Sequence, residues 1–248
     1  FDPSTNTWTT TGNYQVNAIN RSAVVLLKSG KVLSAGGCLT TTSDGCDTSN
    51  YTTVSELYDP ATGTWSTVGG LSTARGEARE HLPLLRNGQA LIAGGKNTSG
   101  TRQSTAEVFN PSTNTWSTVG SMISGRSSTS RFLLLADGRV LLPDGGSSSG
   151  AVPSFGEVYD PVGNTWTTTG NRSKNHNDGL AQALPSGKAL VFGGIDTNTT
   201  QSIAELFDPV SLTWTTTGSM VVQRQNTAGG LLPNGKVITA GGSDGTNA

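Results

Sequence analysis

The chain has 248 residues, enough to bury a sizeable core as one all-β domain. Charged residues make up only 13% and the net charge is −1, with serine and threonine filling the polar surface; this argues against a nucleic-acid or anionic-membrane partner. No apolar run approaches the roughly 18 residues that a membrane-spanning helix needs, so no span is expected.

The chain opens on FDPSTNTW, Phe1 to Trp8, which reads as the end of one strand, an Asp-Pro turn and the start of another. SAVVLL and KVLSAGG follow, joined by a Ser-Gly turn, and read as a hairpin. The second of these strands is continuously apolar, as expected for a strand buried on both faces. The loop CLTTTSDGC carries the only two cysteines, and Cys38 and Cys46 are expected to form a disulfide contributing about 2–3 kcal/mol. SELYD, a second Asp-Pro turn and TWST complete the unit. The pattern then recurs. YDPATGTW, FNPSTNTW, YDPVGNTW and FDPVSLTW end on Trp65, Trp116, Trp166 and Trp214, and diglycines fall at 36–37, 94–95, 145–146, 193–194 and 241–242. Five copies at a period of about 50 residues define a repeat architecture.

Each unit reads as four strands, and four-stranded sheets repeated radially make a β-propeller. The diglycine, then an aromatic, then a tryptophan at this period resembles the kelch repeat, and all five units carry it. The resemblance implies an all-β, single-domain kelch propeller over residues 1–248, with five four-stranded blades. The ring is expected to close by pairing the N-terminal and C-terminal strands in one blade. About six residues of that blade's third strand are absent from the chain, so a longer polypeptide with further repeats is the alternative reading.

Residues that recur in every unit are expected to serve the blade; polar residues that break the pattern are the functional candidates. Glu56, Glu107, Glu157 and Glu205 recur and are expected to accept hydrogen bonds from loop amides. The loops leading into strand one vary. There Asn20, Arg75, Glu77, Arg79, Arg126, His176, Asp178, Arg224 and Asn226 are expected to bind ligand around one mouth of the channel, with Arg21 and Arg131 nearby. Arginine suits bidentate recognition of carboxylate, sulfate or phosphate. His176 and Asp178 are the candidates for acid–base work, because an imidazole titrates near neutrality; His81 reads as a packed histidine. Asp144 stands where the other units have their first glycine. Asp44, Asp47, Asp196 and Asp244 are acids of the kind that suits calcium, the one cofactor considered. The copper-radical oxidases that share this kind of fold need two histidines, two tyrosines and a cysteine cross-linked to one tyrosine, and the chain does not supply that set.

The expected function is a non-enzymatic, extracellular binding module that recognises a peptide or an anionic or glycan ligand on its loop-rich face. One alternative is an enzyme, a lyase, isomerase or hydrolase of a small anionic substrate at the Arg/His-lined mouth. The other is self-assembly through open strand edges.

Overall fold

The computed structural model describes residues 1–16, 22–39, 41–42, 45–78, 82–127, 132–145 and 153–245. The candidates Asn20, Arg21, Asp44, Arg79, His81 and Arg131 lie outside the described residues.

The fold is all-β. Blade one contains β1 (Ala23–Leu26) and β2 (Val32–Ala35), followed by two-residue strands β3 (Thr41–Thr42) and β4 (Gly45–Cys46), then β5 (Ser55–Asp59) and β6 (Thr64–Thr67). Its sheet runs β1-β2-β5-β6, all antiparallel. Blade two has β7 (Ala90–Ala93), β8 (Ala106–Asn110) and β9 (Thr115–Val119). Blade three has β10 (Leu133–Leu134), β11 (Val140–Leu142), β12 (Phe155–Asp160) and β13 (Thr165–Asn171). Blade four has β14 (Leu180–Ala183), β15 (Ala189–Phe192), the small pair β16 (Ile195–Asp196) and β17 (Thr199–Thr200), then β18 (Ala204–Asp208) and β19 (Thr213–Thr217). The chain continues into β20 (Ala228–Leu231) and β21 (Val237–Ala240), which form a sheet of two. Among the described residues the innermost strand of blade two shows only a bridge, Leu84 to Ala90, beside Pro83, which has no amide hydrogen to give a ladder.

Each outer hairpin is held by an aromatic pair facing across two strands. Tyr58–Trp65, Phe109–Trp116, Tyr159–Trp166 and Phe207–Trp214 are directly opposed in register, with ring centroids 5.3, 5.3, 5.0 and 4.9 Å apart. The indole N–H then reaches the preceding blade. Trp116 donates to Ser55 Oγ at 2.9 Å, Trp166 to the Gly120 carbonyl at 2.7 Å and Trp214 to Thr169 Oγ1 at 2.9 Å. Apolar side chains of adjoining blades share cores between the sheets. Leu33 and Leu57 of blade one pack in the same cluster as Ile92 and Phe109 of blade two.

The blade count differs from the expected five. Four blades are complete or nearly so, and the ends do not join. Asp2 and Thr7 make an isolated bridge, while β20 and β21 pair only with each other among the described residues. Trp8 is 82% exposed and Trp166 only 8%. Among the described residues the Phe1–Trp8 hairpin and β21 make no pairing with each other. That hairpin leads instead onto blade one, where the Gly12 amide donates to the Gly63 carbonyl at 2.8 Å and Tyr14 lies 4.1 Å from Trp65 between centroids.

Candidate functional site

The loops leading into the blades follow one plan. In blades two to four a glutamate on the third strand accepts hydrogen bonds from the loop backbone. The Ser72 amide donates to Glu107 at 2.7 Å, the Ile123 and Ser124 amides to Glu157 at 2.7 and 3.2 Å, and the Ser173 amide to Glu205 at 2.8 Å. Glu56 does the same for the amides of Gln15 and Val16 at 3.0 and 2.7 Å. These four acids are therefore acceptors for loop amides.

A cation from the same loop meets each of the last three glutamates. Arg75 Nη2 lies 3.1 Å from Glu107, Arg126 Nε lies 3.2 Å from Glu157, and His176 Nε2 lies 2.9 Å from Glu205. All three cations are wholly buried. Arg75 and Arg126 do not line an open mouth; their guanidinium groups lie inside the blade. Burial pulls both below the ordinary arginine value, and Glu107 and Glu157 oppose that pull. For Arg126, Arg172 adds repulsion and Asp144 offsets it.

These cations hold one place in the repeat. Arg75, Arg126, His176 and Arg224 each stand ten residues after the tryptophan of their unit, so this count finds them where counting back from the diglycine does not. The contacts match too. Arg75 Nη1 donates to the Gly94 carbonyl at 2.8 Å, Arg224 Nη1 to the Gly241 carbonyl at 2.8 Å, and His176 Nδ1 lies 2.7 Å from the Gly193 carbonyl. Both ring nitrogens of His176 thus face oxygen atoms in a place that arginine fills elsewhere. Burial works to raise the Glu205 carboxyl, but hydrogen bonds from His176 and from Ser173 outweigh it and hold Glu205 below the usual carboxylate range.

The junction of blades three and four departs from the plan at three positions at once. Asp144 replaces the first glycine of the pair. Arg172 stands six residues after its tryptophan, where the other units have Leu71, Met122 and Met220. His176 replaces arginine. All three are buried and connected. Arg172 Nη2 is 3.5 Å from Asp144 Oδ1, and the His176 amide donates to Asp144 Oδ2 at 2.5 Å. Elsewhere that amide binds the carbonyl four residues before the preceding blade's glutamate: Arg75 to Thr52, Arg126 to Gln103, Arg224 to Gln201. The corresponding carbonyl here is Pro153, and Arg172 Nη2 occupies it at 3.0 Å. Asp144 therefore replaces an acceptor that Arg172 has taken. Sequence alone singled out Asp144 and His176 but missed Arg172, whose signal is a charge in an otherwise apolar place.

The other candidates lie near the rim. Glu77, Asp178 and Asn226 share the position two residues past the buried cation, and all have left-handed backbones with φ of 55°, 57° and 52°. Glu77 accepts from Tyr51 Oη at 3.1 Å and pairs with Lys96 at 3.0 Å. The Asp178 carbonyl accepts from the Asn226 amide at 2.8 Å. Asp47 caps the short turn Thr48–Asn50 through Ser49, Asp196 pairs with Lys174 at 3.2 Å, and the Asp244 carbonyl accepts from Gln223. Among the described residues, no group of three or more His, Cys, Asp or Glu gathers that could hold a metal. Cys38 and Cys46 are joined in a disulfide. A separate groove of about 180 Å³ lies at the opposite ends of the strands, between the turns of blades two and three, lined by Leu85, Arg86, Asp137, Arg139 and Pro161 among others.

Together the radial sheets and the repeated latch define a β-propeller. Within it, residues 85–123 match the Kelch motif family. The solved structure of YjhT shares the fold, with a TM-score of 0.70 at 16% identity, covering 94% of this chain and 83% of that chain. No curated protein matches the chain in sequence.

Proposed function

We propose that the chain is a non-enzymatic, extracellular binding module that takes a carboxylate-bearing peptide segment on its loop-rich face, centred on the junction of blades three and four. One observation carries this reading. Among the described residues, Arg126 Nη1 and Arg172 Nη1, on two buried and mutually repelling guanidinium groups, have no hydrogen-bond acceptor. Arg75 Nε is also unsatisfied, but it has no second arginine beside it. A buried donor left unmade costs about 1–3 kcal/mol, and more when charged. Both groups lie inside the blade, so a ligand's acidic oxygen reaches them only where the lead-in loops part, and there it would remove that cost.

Other features favour a peptide over the remaining readings. Tyr14 and Tyr51, the aromatics outside the repeat, are both engaged, Tyr14 on Trp65 and Tyr51 against Gly76, so neither offers a stacking platform for a sugar. His176 has both ring nitrogens engaged by Gly193 and Glu205, which favours a positioning role over acid–base work. The disulfide supports an oxidising compartment.

Panning a random peptide library against the folded chain tests the proposal. The expected result is enrichment of acidic peptides whose affinity drops about tenfold or more for Arg172→Met. No enrichment, enrichment without acids, or equal binding to an Arg172→Met protein that still folds overturns it.

A further inference from the structure

The groove between the turns of blades two and three holds a carboxylate that other blades answer with lysine. In blade one Lys31 Nζ lies 3.0 Å from Asp59, and in blade four Lys188 Nζ lies 3.1 Å from Asp208. Both lysines follow the glycine of the first hairpin turn, and both acids open the Asp-Pro turn. Blade two has neutral Gln89 and Asn110 at these places, so in these three blades the two charges are present together or absent together. Blade three carries both charges, as Arg139 and Asp160, but does not join them.

Arg139 is drawn elsewhere. Its Nη2 lies 2.6 Å from Asp137 Oδ2 and donates to the Pro209 carbonyl of blade four at 2.6 Å. Asp160 Oδ1 accepts from the Val162 amide at 2.8 Å, and Asp160 Oδ2 meets no donor among the described residues. The other guanidinium on the groove, that of Arg86, donates to the Ala136 carbonyl. Of the two carboxylates that line this space of about 180 Å³, Asp160 alone keeps an oxygen without a donor among the described residues. Its surroundings are apolar: Leu85, Pro161 and Val162 line the same groove, and Val162 is 95% exposed.

We infer that this groove is a second docking site, which takes a lysine side chain of a partner protein, its ammonium on Asp160 Oδ2 and its stem against Leu85, Pro161 and Val162. Lysine offers a compact charge on a flexible four-carbon stem, and such a stem lies along apolar surface while its head reaches a carboxylate. The contact repeats between two chains the pair that blades one and four make within themselves. Charge sets the choice of occupant: an anion would face Asp160 and Asp137, while both arginines are already engaged. The site lies at the opposite ends of the strands from the buried arginines and does not depend on them.

Titration of the full chain with N-acetyl-lysine N-methylamide, followed by amide NMR shifts, tests the inference. Saturable shifts at Gly138 and Val162 are expected at about millimolar ligand. The norleucine analogue, the same stem without the ammonium, should bind about tenfold more weakly or not at all. Asp160→Asn installs the residue that blade two has and keeps an acceptor for the Val162 amide; it should weaken the lysine probe about tenfold. Arg139→Lys installs the residue of blades one and four, and should weaken the probe similarly by filling the site from within. The same spectra report whether each variant is folded. Equal binding of the lysine and norleucine probes, undiminished binding to either folded variant, or no saturable shift would overturn the inference.

Discussion

The loops entering blades two and four reach the same geometry with different chemistry. In blade two an arginine spans Glu107 and the Gly94 carbonyl, with Leu71 packed below and the arginine amide bound to Thr52. In blade four a histidine spans Glu205 and the Gly193 carbonyl, an arginine replaces the leucine, and the amide turns to Asp144. The repeat fixes where a cation must sit and what it must touch. It leaves the residue type open provided that the neighbours change with it. A lone Arg172 would be a buried charge without a carboxylate, and a lone Asp144 would leave a buried acid without a guanidinium.

Removing the arginine of the ordinary latch should have the largest effect. Arg75→Met leaves the Glu107 carboxylate buried without its cation, and a loss of about 3–5 kcal/mol is expected from denaturant unfolding. A loss below about 1 kcal/mol would mean that the latch is ornamental. Asp144→Gly comes next, at about 2–3 kcal/mol, because Arg172 keeps carbonyl acceptors at Pro153 and Lys174. The new glycine would also be free to adopt the positive φ of Gly36, Gly94, Gly193 and Gly241, a backbone that Asp144 does not share.

The latch of blade four also gives a pH dependence of stated sign. The folded Glu205 carboxyl titrates below its unfolded value of about 4.3–4.5, so its contribution to stability is complete above that range. It is lost as pH falls through the lower folded value. In Glu205→Gln that share of the acid transition should vanish, which stability curves between pH 3 and 6 would show; an unchanged acid limb would contradict the pairing. The smallest effect is expected at Leu212, which holds φ of 57° in a turn where other units place Asn6, Gly63, Asn114 and Asn164. Leu212→Asn should raise stability by about 0.5–1 kcal/mol in thermal unfolding, and a destabilised variant would show that leucine packing outweighs backbone strain there.

Much of this was legible in the sequence. The Asp-Pro or Asn-Pro turns, tryptophans and diglycines give strand order, blade boundaries and the structural role of the recurring glutamates, because each is set by local chemistry repeated four or five times. Ring closure was not legible, since repeat spacing does not say which strands the Phe1–Trp8 hairpin packs on; it leads onto blade one. The arginines were misplaced for a different reason. Arg75 and Arg126 look like variable surface charges until their common distance from tryptophan shows that they occupy one buried slot. Arg172 escaped notice because a charge in a polar-looking loop carries no sign of burial. Only the equivalence with Leu71, Met122 and Met220 exposes it.

Asp144 and Arg172 form one coupled unit, which a double-mutant cycle on unfolding free energy puts to the test. With both reverted to the repeat's own residues, Asp144→Gly plus Arg172→Met, the His176 amide regains the Pro153 carbonyl and the junction becomes an ordinary one. The double variant should then lie close to the parent, with a coupling of about 1–3 kcal/mol between the two sites. Losses that add to within about 0.5 kcal/mol would show two independent residues and contradict the claim.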